Sequence, residues 1–385
     1  MPFLIVGAGC FGLSTAMALL DHGVEPSEIL VFDRSETLPA QDSASYDINK
    51  MVRSDYGDDL MYTQMAIDSM SIFRQWNDSS RLPLFHECGV LILTANEAID
   101  SFEAKSRAHQ CSTLELSETL HIGPLDIMKR SLPFGYFNSK GGWADSALTL
   151  QFMLDSIRYR GVQICGGVER IMEDGAVICS DGQIYSGTVI VACGAWSSKL
   201  LPELDPFIQA RAQPIIHIRL EPESEAYRLF SSDCSCWMAD IGRTGFYGFP
   251  LQTRTGQLKF ANHGAGIIPP NCPSYRPDEN LQDMPEYLLS KFKSFIATFF
   301  PSLKDARIEG TRFCWYTDTF DGDFIIDWVP GRSNVLVVTG GSGHGFKFTP
   351  IIGRIAVDVI FGKKLWPRFK WRPPMNGKRE ASRCL

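Results

Sequence analysis

The first residues with a chemical use are Gly7-Ala8-Gly9-Cys10-Phe11-Gly12. They follow the apolar run Phe3-Leu4-Ile5-Val6 and precede a helix-compatible stretch, Leu13–Leu20. Strand, glycine turn and helix in that order make a dinucleotide-binding element. The glycines allow a tight turn, close approach of a pyrophosphate and close helix–strand contact. The helix N-terminus then offers amides and partial positive charge to the phosphates. A second strand, Glu28–Phe32, ends at Asp33, which lies 21 residues after Gly12. An acid there can accept hydrogen bonds from ribose hydroxyls. The motif does not by itself choose between NAD and FAD.

Two later stretches repeat the strand–glycine theme. Gly187–Trp196 is a strand ending at Gly194, and Asn334–Gly345 is a strand running into Gly340-Gly341-Ser342-Gly343-His344-Gly345. The second leads into an apolar helix over 349–361, a second helix N-terminus for a ligand. A late element of this kind returning to an N-terminal nucleotide unit is the pattern of many flavoproteins.

These segments imply a fold that interleaves two units. βα texture occupies about 1–80, 145–200 and 310–370. Between them lie a β-like run at Gly89–Leu93, alternating stretches such as Gln213–Leu220 and Gly245–Pro250, and a helix over Leu281–Phe300. The expected division is a Rossmann-type α/β nucleotide domain (1–83, 145–207 and 308–370) interleaved with a mixed-sheet α+β substrate domain (84–144 and 208–307), with a C-terminal tail over 371–385 and the Pro-rich stretch after Pro367 loosely held.

Composition sets limits. The 385 residues are 44% hydrophobic and 21% charged, with a net charge of −7. That fits a globular chain able to bury a full core and argues against nucleic-acid binding, which needs a basic face. Eleven cysteines without regular spacing suggest no disulfide framework, and an intracellular compartment is expected. The apolar stretch Phe3–Leu20 lacks a basic leader and is broken by glycines, so neither a signal peptide nor a membrane span is read there. The final Arg383-Cys384-Leu385 falls short of a Ser-Lys-Leu peroxisomal address.

Three further stretches carry more specific chemistry: Ser43–Gly57, Cys314–Asp327 and Gly341–Phe348. Through them the chain resembles the monomeric sarcosine oxidase and fructosyl amino acid oxidase (amadoriase) family, of the D-amino-acid-oxidase structural class, from Leu4 to about Lys370. The resemblance implies oxidation of the C–N bond of a secondary amino acid, with oxygen reduced to hydrogen peroxide and FAD as the cofactor. It implies an 8α-thioether to Cys314, a bond that needs a thiolate beside an electrophilic methyl group. Lys50 matches the basic residue over the flavin, and Arg53 and Lys347 match the two cations on the substrate carboxylate. Arginine suits that task because its fork pairs two oxygens at once. Lys259 matches the lysine implicated in oxygen reduction, where a fixed cation would stabilise developing negative charge. His263 and Tyr247 match active-site residues, and amadoriases generally carry glutamate at the His263 position. Arg34, Ser43, Val168, Trp196 and His344 are assigned to the cofactor site with the glycines above. One departure stands out: sarcosine oxidases place a histidine four residues before Lys50, and Tyr46 is there instead, leaving the substrate side group open. Partners are expected to be a small amino acid and O2, and the chain is expected to act as a monomer.

Overall fold

The computed structural model describes residues 1–95, 113–115, 123–232, 234–264, 266, 284–332 and 334–372. Its first layer is a six-stranded sheet ordered Ile325–Trp328, Val335–Thr339, Thr188–Val191, Phe3–Val6, Ile29–Phe32 and Gln163–Cys165. All neighbours are parallel except the Ile325–Trp328 edge strand, which runs antiparallel to Val335–Thr339. The central strands are almost wholly apolar, as expected for strands covered on both faces. Four of them end side by side at Gly7, Asp33, Ala192 and Gly340, so their carboxyl ends open onto one crevice.

Helix Cys10–Asp21 packs against helix Thr349–Ile360, the two being some 340 residues apart in sequence. The crossing is tight because Gly353 has no side chain: a Cβ there would stand 2.0 Å from Ser14 O. Ser14 Oγ donates to Thr349 O at 2.6 Å and accepts from Gly353 N at 2.9 Å.

The second layer is an eight-stranded sheet ordered Ile308–Thr319, Ile208–Arg219, Gln257–Asn262, Phe246–Gly248, Cys236–Ala239, Val90–Thr94, Phe134–Asn138 and Thr113–Glu115. Strand alternation sends Trp237 to one face, where it stacks on Phe295 of helix Glu286–Phe299, and Met238 to the other, where it meets the crevice. The expected helix over 281–300 therefore begins at Glu286 among the described residues, with 281–283 outside them.

Two expectations change. Residues 308–319, grouped from sequence with the nucleotide sheet, pair along their length with Ile208–Arg219 in the eight-stranded sheet. Long-range strand pairing, invisible in local pattern, decides that membership. The segment after Pro367 is tied down rather than loose as far as Arg372: Phe369 is fully buried, Arg368 forks onto Asp59 at 2.8 and 2.6 Å, and Arg372 onto Asp321 at 2.6 Å twice. Residues 373–385 lie outside the described ones.

Candidate active site

The glycine turn is built as the spacing predicts. Gly7 has φ +110°, and a Cβ on it would stand 2.5 Å from Ala192 O; one on Gly12 would stand 1.8 Å from Gly7 O. Asp33 Oδ2 accepts from Ala8 N at 2.7 Å and Oδ1 from Ser35 N at 2.9 Å. Cys10 N, at the helix N-terminus, donates to Ser45 Oγ at 3.2 Å.

From this turn a cleft of about 670 Å³ runs between the two sheets. The end by the glycine turn is lined by Gly7, Gly9, Cys10, Phe11, Asp33, Arg34, Ser43, Val168, Gly194 and Trp196, residues assigned from sequence to the cofactor. Arg34 lies over the Trp196 ring at 4.5 Å and pairs with Asp42. The other end is lined by Lys50, Arg53, Tyr247, Cys314, Gly343, His344, Gly345 and Lys347, also singled out in the sequence. Residues up to 340 positions apart thus share one wall. Gly12, Tyr46, Lys259 and His263 do not line it. Gly12 serves helix contact. Tyr46 is half-buried against the nucleotide-side core, and its carbonyl accepts from Arg312 Nη1 at 2.6 Å. His263 is buried, with its ring 5.6 Å from that of Tyr316.

At the centre, Lys50 Nζ donates to Cys314 Sγ at 3.4 Å. Cys10 and Cys193 line the same cleft, but desolvation pushes both thiols up, Cys193 to about 12, so neither is a ready nucleophile. Behind Lys50 sits the buried carboxylate of Asp47. Its Oδ2 is 2.7 Å from Lys259 Nζ and 3.6 Å from Lys50 Nζ, and its Oδ1 is 3.2 Å from His217 Nε2. The Lys259–Asp47 contact is an ion pair without hydrogen-bond alignment, because Oδ2 has no aligned donor. Lys259 donates instead to Asn49 O at 2.7 Å. Burial raises the Asp47 carboxyl, but Lys259, Lys50, His217 and Arg312 outweigh it and hold it well below the usual range. Burial lowers Lys259 against the pull of Asp47, to about 8.

Arg53 is buried, its Nη1 2.9 Å from Asp55 Oδ2; Asp55 also accepts from Tyr136 Oη and Asn138 Nδ2, each at 2.6 Å. Lys347 Nζ donates to Tyr56 Oη at 2.9 Å. Sequence reasoning missed Tyr316, whose hydroxyl is 3.5 Å from that of Tyr247, although its place two residues after Cys314 puts it on the same strand face. It also missed Met51, Met238 and Phe249, apolar residues of the cleft with no local signal, and the Asp47–His217 contact, which depends on folding.

Compared with known families, residues 3–359 match the sequence profile described as FAD dependent oxidoreductase (DAO). The chain belongs to this family. Among curated relatives of this FAD-dependent oxidoreductase, L-saccharopine oxidase from Schizosaccharomyces pombe is 28% identical over 99% of this chain and 95% of that one. Monomeric sarcosine oxidase from Bacillus sp. is 27% identical, over 94% and 92%. Among solved structures, fructosyl peptide oxidase from Aspergillus nidulans superposes with TM-score 0.83 at 23% identity, over 99% of this chain and 95% of that one. Fructosamine oxidase (Amadoriase II) from Aspergillus fumigatus gives 0.81 at 24%, over 97% and 89%. The expected class, D-amino-acid-oxidase-like with mixed sheets, is therefore the fold of this oxidoreductase. FAD also fits the chain's own chemistry. The turn can close only because Gly7 and Gly12 lack Cβ atoms, and it leaves Gly7, Gly9 and Cys10 lining the cleft at the N-terminus of helix Cys10–Asp21, a place suited to a pyrophosphate.

Proposed function

We propose that the protein oxidises the C–N bond of a secondary, N-alkyl amino acid, yielding an imine that hydrolyses and hydrogen peroxide, with FAD attached through Cys314. The reading rests on one observation: Cys314 with Lys50 at its sulfur, and the cations Arg53 and Lys347, stand in a single cleft continuous with the glycine turn. In this reading the six-stranded sheet carries the nucleotide and the eight-stranded sheet carries the substrate wall.

When bound, FAD supplies the two-electron acceptor that no side chain can provide. The glycine turn and Asp33 hold its nucleotide, and Cys314 anchors its ring. Arg53 and Lys347 take the substrate carboxylate, which discriminates amino acids from simple amines. The same cations favour the neutral amine over its ammonium form, the state from which electrons leave. Tyr247 and Tyr316 bound the substituent and fix its orientation. Lys259 supports the oxygen-reducing half as a buried positive charge one contact behind Lys50. The protein acts alone, as an intracellular monomer.

The substituent is apolar rather than a sugar. The carboxylates among the described lining residues are Asp33, Asp42 and Glu169, on the nucleotide side, and the substrate end is walled by Met51, Met238, Tyr247, Phe249 and Tyr316. His263 in place of a glutamate points the same way. The relatives named for saccharopine and sarcosine support a secondary amine as the reacting group. Deglycation of fructosyl amino acids is the competing reading, favoured by Lys50 and the loop Asp47–Lys50. Peroxide release from sarcosine, pipecolate, saccharopine and fructosyl-glycine separates the two. Anaerobic mixing tests the whole: N-alkyl amino acids are expected to bleach the flavin, and failure of all of them removes the proposal.

A further inference from the structure

Between the two carboxylate cations stands Tyr56, which no sequence motif singled out. Its hydroxyl lies 2.9 Å from Lys347 Nζ and 2.9 Å from His344 Nδ1, and His344 Nε2 lies 3.0 Å from Gly322 O. All three side chains are buried. The proton positions follow from capacity. Gly322 O only accepts, so His344 donates from Nε2, and the Nε2–H tautomer leaves Nδ1 as an acceptor. Lys347 only donates, so the tyrosine oxygen accepts from it. The one phenolic proton then goes to His344 Nδ1.

The ring contributes as well. Lys347 Nζ lies 4.8 Å and Arg53 Cζ 5.6 Å from its centre, within reach of cation–π attraction, and Tyr62 stacks on it at 5.3 Å. Two like charges held in one cleft repel, and an electron-rich ring near both offsets part of that cost.

We propose that Tyr56 is the positioning residue of the carboxylate clamp: with His344 behind it, it aims the Lys347 ammonium and steadies it beside Arg53. The inference rests on the carboxylate role given above to Arg53 and Lys347. It assigns His344 a task of orientation, with both ring nitrogens engaged.

The test is the ratio of kcat/KM for an amino acid to that for the amine lacking its carboxylate. The pairs are N-methylphenylalanine with N-methylphenethylamine and pipecolate with piperidine. Because each ratio is taken on one preparation, partial misfolding cancels. Tyr56→Phe keeps the ring and removes the hydroxyl. It is expected to lower the ratio about tenfold, through KM for the acid. Lys347→Met is the reference and is expected to lower the ratio further. Equal losses on acid and amine in Tyr56→Phe, or an unmoved ratio where Lys347→Met collapses it, overturn the proposal while the clamp stands. A ratio unmoved by both variants, or no turnover of any amino acid by the parent enzyme, removes the clamp reading and this inference together. Should Tyr56→Phe not accumulate, His344→Gln, which displaces the acceptor of the phenolic proton, is expected to lower the same ratio, and an unmoved ratio there also overturns it.

Discussion

Lys50 touches Cys314 and shares the carboxylate of Asp47 with Lys259, and Cys314 and Lys259 each give a residue-level prediction. Cys314→Ala removes the sulfur that accepts from Lys50. Acid-precipitated parent protein is expected to stay yellow, and the variant to release its colour into the supernatant; colour lost from both would detach the flavin from Cys314. Lys259 carries its charge below about pH 8 and sheds it above. If that charge serves oxygen reduction, the reoxidation rate falls as pH rises through about 8, and Lys259→Met is slow at every pH, by roughly a hundredfold or more. Stopped-flow mixing of reduced enzyme with oxygen measures both. Both partners have depressed folded pKa values, so stability rises with pH through each titration, near and above pH 8 for Lys259 and in the acid range for Asp47. Asp47 has its folded pKa depressed, so its contribution is present at neutral pH and is lost as pH falls below the ordinary carboxylate range. Asp47→Asn is therefore expected to flatten the acid limb of a denaturation profile. None of this pairing is readable in sequence. Asp47 and Lys259 are 212 residues apart, and a lone buried acid and a lone buried lysine look like surface residues until the fold brings them together.

At the level of elements, the helix crossing at Gly353 is the most demanding contact. A side chain there meets backbone rather than a yielding side chain. Gly353→Val is expected to cost roughly 3 kcal/mol and to lower flavin retention with it, because helix Cys10–Asp21 presents the nucleotide turn. Thermal unfolding with and without added FAD measures this; an unchanged midpoint would mean that the helices can part without loss. The nucleotide elements were legible because each is local: strand, glycines, helix and acid lie within 33 residues and obey fixed spacing. The eight-stranded sheet was legible only in pieces. Alternation marked Gln213–Leu220 and Gly245–Pro250, but it carries no information on which strand pairs with which. Strand Ile308–Thr319 therefore bridges two regions that the sequence kept separate, carrying Cys314 from one sheet to the edge of the other's crevice.

On the scale of the whole molecule, charge is concentrated where it is useful. The chain is net acidic, yet Lys50, Arg53, Lys199, Lys347 and Arg34 all line one cleft. An anionic substrate is attracted to that opening against the average field, so KM for an amino acid is expected to rise with ionic strength while kcat holds. A KM insensitive to salt between about 10 and 300 mM would show that the cations act only on contact. Among the described residues no helix is long and apolar enough to cross a membrane.

The parallel pairing of Phe3–Val6 with Thr188–Val191, and of the latter with Val335–Thr339, has a consequence for biosynthesis. A chain emerging from the ribosome makes its glycine turn first, gains the adjoining strand Thr188–Val191 only about 180 residues later, and gains strand Val335–Thr339 and the packing helix Thr349–Ile360 only after more than three hundred. The nascent segment lacks two of the elements around its turn in that interval, so completion of the nucleotide cleft is a late event in folding.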